Sequence, residues 1–526
     1  MTSQVLPKEV RLSAPPTMPQ ARSYLFKQQS TQSSYQPGTS ASIQINIPRL
    51  QRSYLTKDSY LRFRIGLSWD NNADDTAFKT CNPTFDTCGA FGLFDTIEVY
   101  DYLGSTLLER TSGHGQLMAL LLDTHCSPTE SQFHYGIQSG LKAGGIGLDT
   151  DAYRTNAAVS AANSLTVKSQ TRAPVSGATL GNYTSTVAGT LLGGGDGATY
   201  YYEFAIPLFS FLGTLSKKYA PLHNGYTINL TLNTLANTFG YCTRDGVAGN
   251  VTAIPSTYTI DKVFFCAQVL ELGPVAESML IASTQGQPFV VPAKAYRNYV
   301  GSIPTSTAQY RLDMNINVAS LTNILFIMRP TSLLNSLLAK SLSYRVRNFL
   351  QSWYFQYGST ILPQTTGIKC RQEAGETLDG AAPTNVSKSG YVEAYNELMK
   401  ARHNYSGSNT HSMIGENEYW VDTPALHATA FNDVTYQPIT TAAASALCPD
   451  AYLPPGKFAG GLDLELVPGR SQDLICGMNT NGMNTSIQLN FDPTLIASQV
   501  AVQLDAWAEY DAFINISPGI ATTVSF

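Results

Sequence analysis

Gly104-Ser-Thr-Leu-Leu108, which follows the aromatic-rich run Phe94 to Tyr102, returns as Gly358-Ser-Thr-Ile-Leu362 behind the run Phe349 to Tyr357, an offset of 254 positions. An internal repeat changes the reading of every other segment, because each copy must then be one structural unit. The neighbours of the two copies agree in order. A helical pattern follows each, Gln116 to Asp123 in one half and Tyr391 to Arg402 in the other. The second places Val392, Tyr395, Leu398 and Met399 on one stripe. A long Gly/Ser/Thr/Ala-rich stretch comes next, then a Phe-Ala strand start, Phe204-Ala205 and Phe458-Ala459, again 254 apart. Asn224-Gly225 and Asn481-Gly482 then read as turns into Thr227-Ile-Asn-Leu230 and Ser486-Ile-Gln-Leu489. Long apolar strands, Val263 to Leu272 and Val500 to Ile516, close the halves.

The rest of the chain also reads as strand. Ser42-Ile-Gln-Ile-Asn-Ile-Pro48 alternates strictly, and Tyr60 to Trp69, Asp95 to Tyr100, Tyr200 to Ile206 and Tyr226 to Leu232 are rich in β-branched and aromatic residues. Lys262 to Glu271 is long enough for a central strand. The expected architecture is all-β, two copies of one β-sandwich with a few short helices and long loops. Gly140 to Gly197, and its counterpart from Asn404 to about Gly456, are too long for ordinary connections and should project from one end of each sandwich. Met1 to Gln20, with Pro7, Pro15, Pro16 and Pro19, has no strand pattern and should form an extended arm. Its Lys8, Glu9 and Arg11 are too few and too mixed in sign to grip DNA.

Composition narrows the function. Only 13% of the 526 residues are charged while 43% are hydrophobic, which points to a folded protein whose surface is largely covered by protein contacts. The net charge of -5 and a pI near 5.8 argue against a dedicated nucleic-acid binder. The longest apolar run, Leu117 to Leu122, is about a third of the ~20 residues that cross a bilayer, so no transmembrane segment is expected. Met-Thr-Ser-Gln-Val-Leu-Pro-Lys-Glu lacks the apolar core of a secretory signal, which points to synthesis in a reducing cytosol.

Catalytic and metal signatures are missing. The eight cysteines (81, 88, 126, 242, 266, 370, 448 and 476) form no C-x-x-C pair, and Cys81 and Cys88 have no second pair to complete a zinc site. They read as small buried hydrophobes with one exposed loop pair. There is no H-E-x-x-H, G-x-S-x-G or Walker sequence. His403 with His411, and His125 with His134, lie at or beyond the exits of the expected helices with no nucleophile beside them. Asp70-Asn-Asn-Ala-Asp-Asp75 starts like a calcium loop, but Asp75 replaces the required Gly and Cys81 the final Glu, so it reads as a polar turn. Gly193-Gly-Gly-Asp-Gly197 leads into a strand rather than a helix, which removes the phosphate-cradle reading. The Asn-x-Ser/Thr sequons at Asn182, Asn229, Asn250, Asn385, Asn404, Asn484 and Asn515 follow from composition. Aromatics at alternating positions, as in Trp353-Tyr-Phe-Gln-Tyr357, read as core and subunit-interface packing. No catalytic, cofactor-binding or metal residues are therefore assigned.

Leu321-Thr-Asn-Ile-Leu-Phe-Ile-Met-Arg-Pro330, Ser341-Leu-Ser-Tyr-Arg-Val-Arg-Asn348 and Trp353-Tyr-Phe-Gln-Tyr-Gly-Ser-Thr-Ile-Leu-Pro-Gln364, preceded by Pro288-Phe-Val-Val-Pro-Ala-Lys-Ala-Tyr-Arg-Asn-Tyr299, resemble the second sandwich of double jelly-roll major capsid proteins of icosahedral double-stranded DNA viruses, in the polinton-like virus and virophage-related lineage. The resemblance spans residues 23 to 526 and is most specific over 285 to 402. It implies two tandem eight-stranded jelly rolls, residues 23–275 and 276–526 behind an arm of residues 1–22. It also implies a homotrimeric, pseudo-hexameric capsomer that meets neighbouring capsomers, penton and minor capsid proteins in a virion shell, and it implies no enzymatic activity and no cofactor. Two alternatives stand beside it. One is a minor capsid protein of the same lineage. The other is a large β-sandwich carbohydrate-binding protein or glycosidase module, for which Glu271, Glu277 and Glu465 are the candidate acids although sequence reveals no pairing among them.

Overall fold

The computed structural model describes residues 21–68, 81–86, 88–102, 104, 106–127, 130, 138, 200–216, 218–243, 257–335, 341–364, 366–371, 392–403, 412–424, 456–465, 477–517 and 522–526. The expected arm of residues 1–20, the stretch 140–197, the Asp70 to Asp75 turn and most of 404–456 lie outside the described residues.

Eight principal strands build the first half: β1 (Ala21–Gln29), β2 (Ser42–Ile47), β3 (Tyr60–Ser68), β4 (Phe94–Asp101), β5 (Leu107–Ser112), β6 (Tyr200–Pro207), β7 (Tyr226–Leu232) and β8 (Thr257–Leu272). Eight build the second: β9 (Phe289–Ile303), β10 (Gln309–Asp313), β11 (Leu321–Pro330), β12 (Leu350–Tyr357), β13 (Thr360–Leu362), β14 (Gly460–Asp463), β15 (Thr485–Phe491) and β16 (Val502–Ile516). In the first half one sheet runs β1-β8-β3-β6 and the other β2-β7-β4-β5. In the second the same order returns as β9-β16-β11-β14 and β10-β15-β12-β13. All these pairs are antiparallel, and each strand of the second half occupies the place of the strand eight earlier. This interleaved order, in which first and last strands pair and sequential hairpins split between two sheets, is the jelly-roll topology. The fold is a double jelly roll.

The repeat that decides the fold sits where its chemistry is needed. Gly104 (φ +67°) turns β4 into β5, and Gly358 (φ +56°) turns β12 into β13. Gly225 (φ +67°) and Gly482 (φ +74°) occupy the turns ahead of β7 and β15. A left-handed backbone favours glycine because a Cβ would crowd the carbonyl. Between the sheets the alternation of β2 puts Ile43, Ile45 and Ile47 wholly in the core, opposite residues such as Phe63 and Leu61 of β3. β11 is buried along its whole length, as expected of a strand covered on both faces.

Several boundaries differ from the sequence reading. The closing strands run Thr257–Leu272 and Val502–Ile516, and Phe204 lies inside β6 while Ala459 precedes β14. The first helix, α1 (His114–His125), is longer than its apolar run and buried from His114 to Thr124, consistent with an apolar surface all round. An unanticipated helix, α2 (Pro274–Ser283), links the halves and buries none of its residues. In α3 (Val392–Ala401) the buried stripe is Ala394, Leu398 and Ala401 with Met399, whereas Val392 is 57% exposed. Val392 sits on the first turn, on the same face as Met399 but ahead of the buried residues. The buried stripe rests on β14, where a Cβ on Gly461 would come within 2.9 Å of Leu398 and one on Gly460 within 2.1 Å of the Phe326 ring. Two glycines thus let helix and ring approach the same strand from opposite sides.

Candidate functional site

Ser341 to Asn348 holds two arginines, yet every residue in it is buried. It follows no regular element, and Asn348 and Phe349 both adopt positive φ (+53° and +63°) before β12 begins. Irregular buried backbone must find partners for its polar groups. The amides of Arg345, Val346, Arg347 and Asn348 donate to the carbonyls of Gly456, Met328, Val421 and Asp422 in the same sandwich, while the start of the segment finds its partners in the other. The Leu342 amide donates to Asp86 at 2.9 Å and the Ser343 hydroxyl donates to the other oxygen of the same carboxylate. The Arg345 guanidinium pairs with Asp123, in the last turn of α1.

Asp123 also lies 3.3 Å from the Lys457 ammonium, which stands 3.2 Å from Glu418 and donates to the Met413 carbonyl at 2.7 Å. Two acids and two bases therefore balance in a fully buried group. Burial works against the charge of Lys457, but Asp123 and Glu418 outweigh it and hold the ammonium above its ordinary range. Beside this group Arg347 makes a two-pronged contact with Asp422, at 2.8 and 2.9 Å, and Arg371 reaches the same carboxylate at 3.0 Å. Geometry of this kind is the strongest that a guanidinium and a carboxylate form.

A second buried group spans the seam nearby. Arg402 donates to Glu509 at 3.0 Å and lies 2.7 Å from the ring of His125, at the end of α1. Tyr296 donates to the same Glu509 at 2.9 Å, and Lys294 lies within 3.7 Å of Glu465, Glu509 and Asp511. The Trp507 indole donates across the seam to the Ser112 carbonyl at 3.3 Å. These contacts fix the two sandwiches side by side. Breaking one such buried pair by removing a single partner costs about 3–5 kcal/mol, because the other charge is left without compensation.

Where the seam opens, a cavity of about 510 Å³ lies between β5 on one side and β9 and β16 on the other. Glu109 lines it and is 7% exposed. One carboxylate oxygen accepts from the Ser210 hydroxyl and from the Phe211 amide at 3.0 Å, while Oε1 has no partner among the described residues. Burial pushes this carboxyl up from 4.5 to about 7, against the lowering effect of those two donors. The opposite wall is aromatic: Tyr510 meets Phe526 edge-on at 5.6 Å.

The residues weighed as catalytic from sequence are not assembled into a site. Glu271 pairs with Arg22 at 2.7 Å, Glu277 with His223 at 2.9 Å and Glu465 with Lys294 at 3.4 Å. Arg52 lies 4.0 Å from both Glu271 and Glu277, so these two acids share a cation instead of confronting each other across an open face. Cys88, Cys126, Cys266 and Cys370 are buried free thiols. Among the described residues no group of three His, Cys, Asp or Glu is placed to hold a metal ion, and no helix is long and apolar enough to cross a membrane. His134 and His411 lie outside the described residues. His125 instead meets Arg402, a pairing across 277 positions that local spacing could not reveal.

No protein-family model and no curated protein sequence matches the chain. Solved structures do. A chain from the 3.5 Å cryo-EM structure of the Sputnik virophage aligns over 99% of this protein and 92% of its own length, with a TM-score of 0.53 at 13% identity. The mavirus major capsid protein aligns over 100% and 94%, with a TM-score of 0.48 at 10% identity. The Faustovirus major capsid protein aligns over 98% and 93%, with a TM-score of 0.46 at 11% identity. The similarity to the Sputnik chain extends across both sandwiches.

Proposed function

We propose that the protein is a major capsid protein, a structural protein that forms a homotrimeric capsomer and tiles an icosahedral shell around a double-stranded DNA genome. One observation carries this reading: two jelly rolls of the same strand order stand in one chain, held side by side by a buried charged seam. Three copies of such a pair present six similar sandwiches, which gives a nearly six-fold outline suited to filling a shell. In this reading residues 1–20 are an arm, since Ala21 and Arg22 already belong to β1, and the sandwiches span 21–275 and 276–526. The partners are neighbouring capsomers with penton and minor capsid proteins, the location is the virion after synthesis in the host cytoplasm, and no catalysis is required. The seam is structural, keeping the paired sandwiches aligned through assembly. The viral source of the Sputnik chain supports the reading at the level of fold.

Light scattering on the purified protein should give about 171 kDa, three times 57.0 kDa. Negative-stain images should show compact particles with a six-cornered outline. A stable monomer at micromolar concentration, with no tendency to associate, would refute the assignment.

A further inference from the structure

α2 carries its polarity the wrong way round for a surface helix. Gly273, Ala276, Glu277, Leu280 and Thr284 recur at helical spacing and are half-buried. On that side Glu277, the one charged residue of the helix, meets His223 at 2.9 Å and Arg52 at 4.0 Å. Val275, Ser278, Met279 and Ala282 form the opposite stripe and are exposed, Met279 to 68% and Val275 to 51%. A surface helix ordinarily turns its charges to water and its apolar stripe to the core. The hydroxyls of Ser278, Ser283 and Thr284 do not restore polarity outside, since each donates back to a carbonyl of the helix, those of Val275, Leu280 and Ile281, at 2.6 to 2.8 Å. An outward apolar stripe of this kind marks a contact surface.

The path of the chain beside it says what covers it. β1 opens at Ala21, which pairs with Leu272, two positions before Pro274 at the start of α2. The pairing is antiparallel, so the chain ahead of Ala21 and the chain after Leu272 leave the sheet at the same end. The last stretch ahead of β1 includes Ala14-Pro-Pro-Thr-Met-Pro19, in which every side chain except that of Thr17 is apolar. Proline fixes φ, and such a sequence favours an extended helix rising ~3.1 Å per residue. Six residues then span roughly 19 Å. At ~1.5 Å per residue α2 is roughly 15 Å long, so the two match in length.

We propose that Ala14 to Pro19 lies along the outward face of α2 in its own chain, with Met18 and Pro19 nearest Val275, and Pro15 and Pro16 nearest Met279 and Ala282. Attachment at Ala21 selects this occupant, because a tethered segment acts at an effective concentration in roughly the millimolar range, which a free partner must exceed. Prolines also have little conformational freedom left to lose on docking. The arm then works as a strap across the joint: it is rooted in the first sandwich and rests on the helix that leads to the second. This goes beyond the capsid reading and does not depend on it.

The full chain carrying Met279→p-benzoylphenylalanine, irradiated, resolved on a denaturing gel and digested for mass spectrometry, tests this. The expected product runs at the 57.0 kDa of one chain and joins position 279 to residues 14–19. A second measurement is hydrogen exchange: removing residues 2–20 should speed exchange of the α2 amides by about tenfold while leaving those of β11 unchanged. Cross-links that run at the mass of two chains overturn the assignment to the same chain. Cross-links that miss residues 14–19, or α2 amides that exchange alike with and without the arm, overturn the strap itself. The capsid reading stands or falls separately, on the mass and outline of the assembled particle.

Discussion

Glu109→Gln isolates the electrostatics of the seam, because Gln keeps the shape of the protonated carboxyl and cannot ionise. The carboxyl titrates near 7 in the folded chain against 4.5 for the free group. The native state therefore prefers the protonated form. Below about pH 4.5 Glu109 is protonated in both states and the substitution changes little. As pH rises towards 7, the unfolded chain releases its proton while the folded chain must either hold it or bury a charge, so the wild type loses stability relative to the variant. Above about pH 7 the gap is constant. A shift of about 2.5 units at ~1.4 kcal/mol each gives roughly 3.5 kcal/mol at the plateau. For a sandwich of this size that is roughly 5–7 °C in melting temperature. Thermal unfolding of both proteins at pH 4.5, 6 and 8 reads the difference directly. A gap that stays the same from pH 4.5 to 8 would show that Glu109 does not titrate between those limits, and the reasoning from its burial would fail.

Asp123→Asn leaves Arg345 and Lys457 facing one another in the seam and should cost about 3–5 kcal/mol, read from denaturant unfolding. A loss below about 1 kcal/mol, the range of surface pairs, would mean that the group is solvated. Gly358→Ala and Gly104→Ala meet open space or only a Met483 contact at 3.5 Å, so each should cost just the backbone strain, about 1–2 kcal/mol. Gly460→Ala puts a methyl against the Phe326 ring and should cost more, about 3 kcal/mol or above, the upper end of overpacking, with misfolded protein as the visible result in expression trials. Equal effects at Gly104 and Gly460 would contradict the packing described for β14.

The fold was readable because its repeat is local chemistry. Gly104, Gly358, Gly225 and Gly482 sit in left-handed turns, and a turn that needs glycine writes it into the sequence. Alternation in Ser42 to Ile47 works the same way, since each side chain reports the face it occupies. The seam left no such trace. Asp123 and Arg345 are 222 positions apart, and each alone looks like an ordinary surface charge. The low charge content of the chain suggested a surface given over to contacts, whereas the structure shows that many of the charges present, Arg329, Arg347, Arg402, Lys457, Asp422 and Asp505 among them, are buried. Val392 misled for the opposite reason: helical spacing gives the stripe but not where along it the sheet begins to cover it.

The seam also has a polarity. In the contacts around its buried charges the first sandwich supplies the acceptors, Asp86, Asp123 and the Ser112 carbonyl, while the second supplies the donors, Leu342, Ser343, Arg345, Lys457 and Trp507, although Asn224 of the first donates the other way, to Ser517 and Thr522. Two sandwiches of one topology on many ribosomes face a sorting problem, since each could dock with its like on a neighbouring nascent chain. Through these faces, first against first would bring Asp123 towards Asp123, and second against second would bring Arg345 and Lys457 towards their own kind. Buried like charges are strongly disfavoured. The pairing is therefore that of a plug and a socket, in which each sandwich complements the other half of its own chain and not its like.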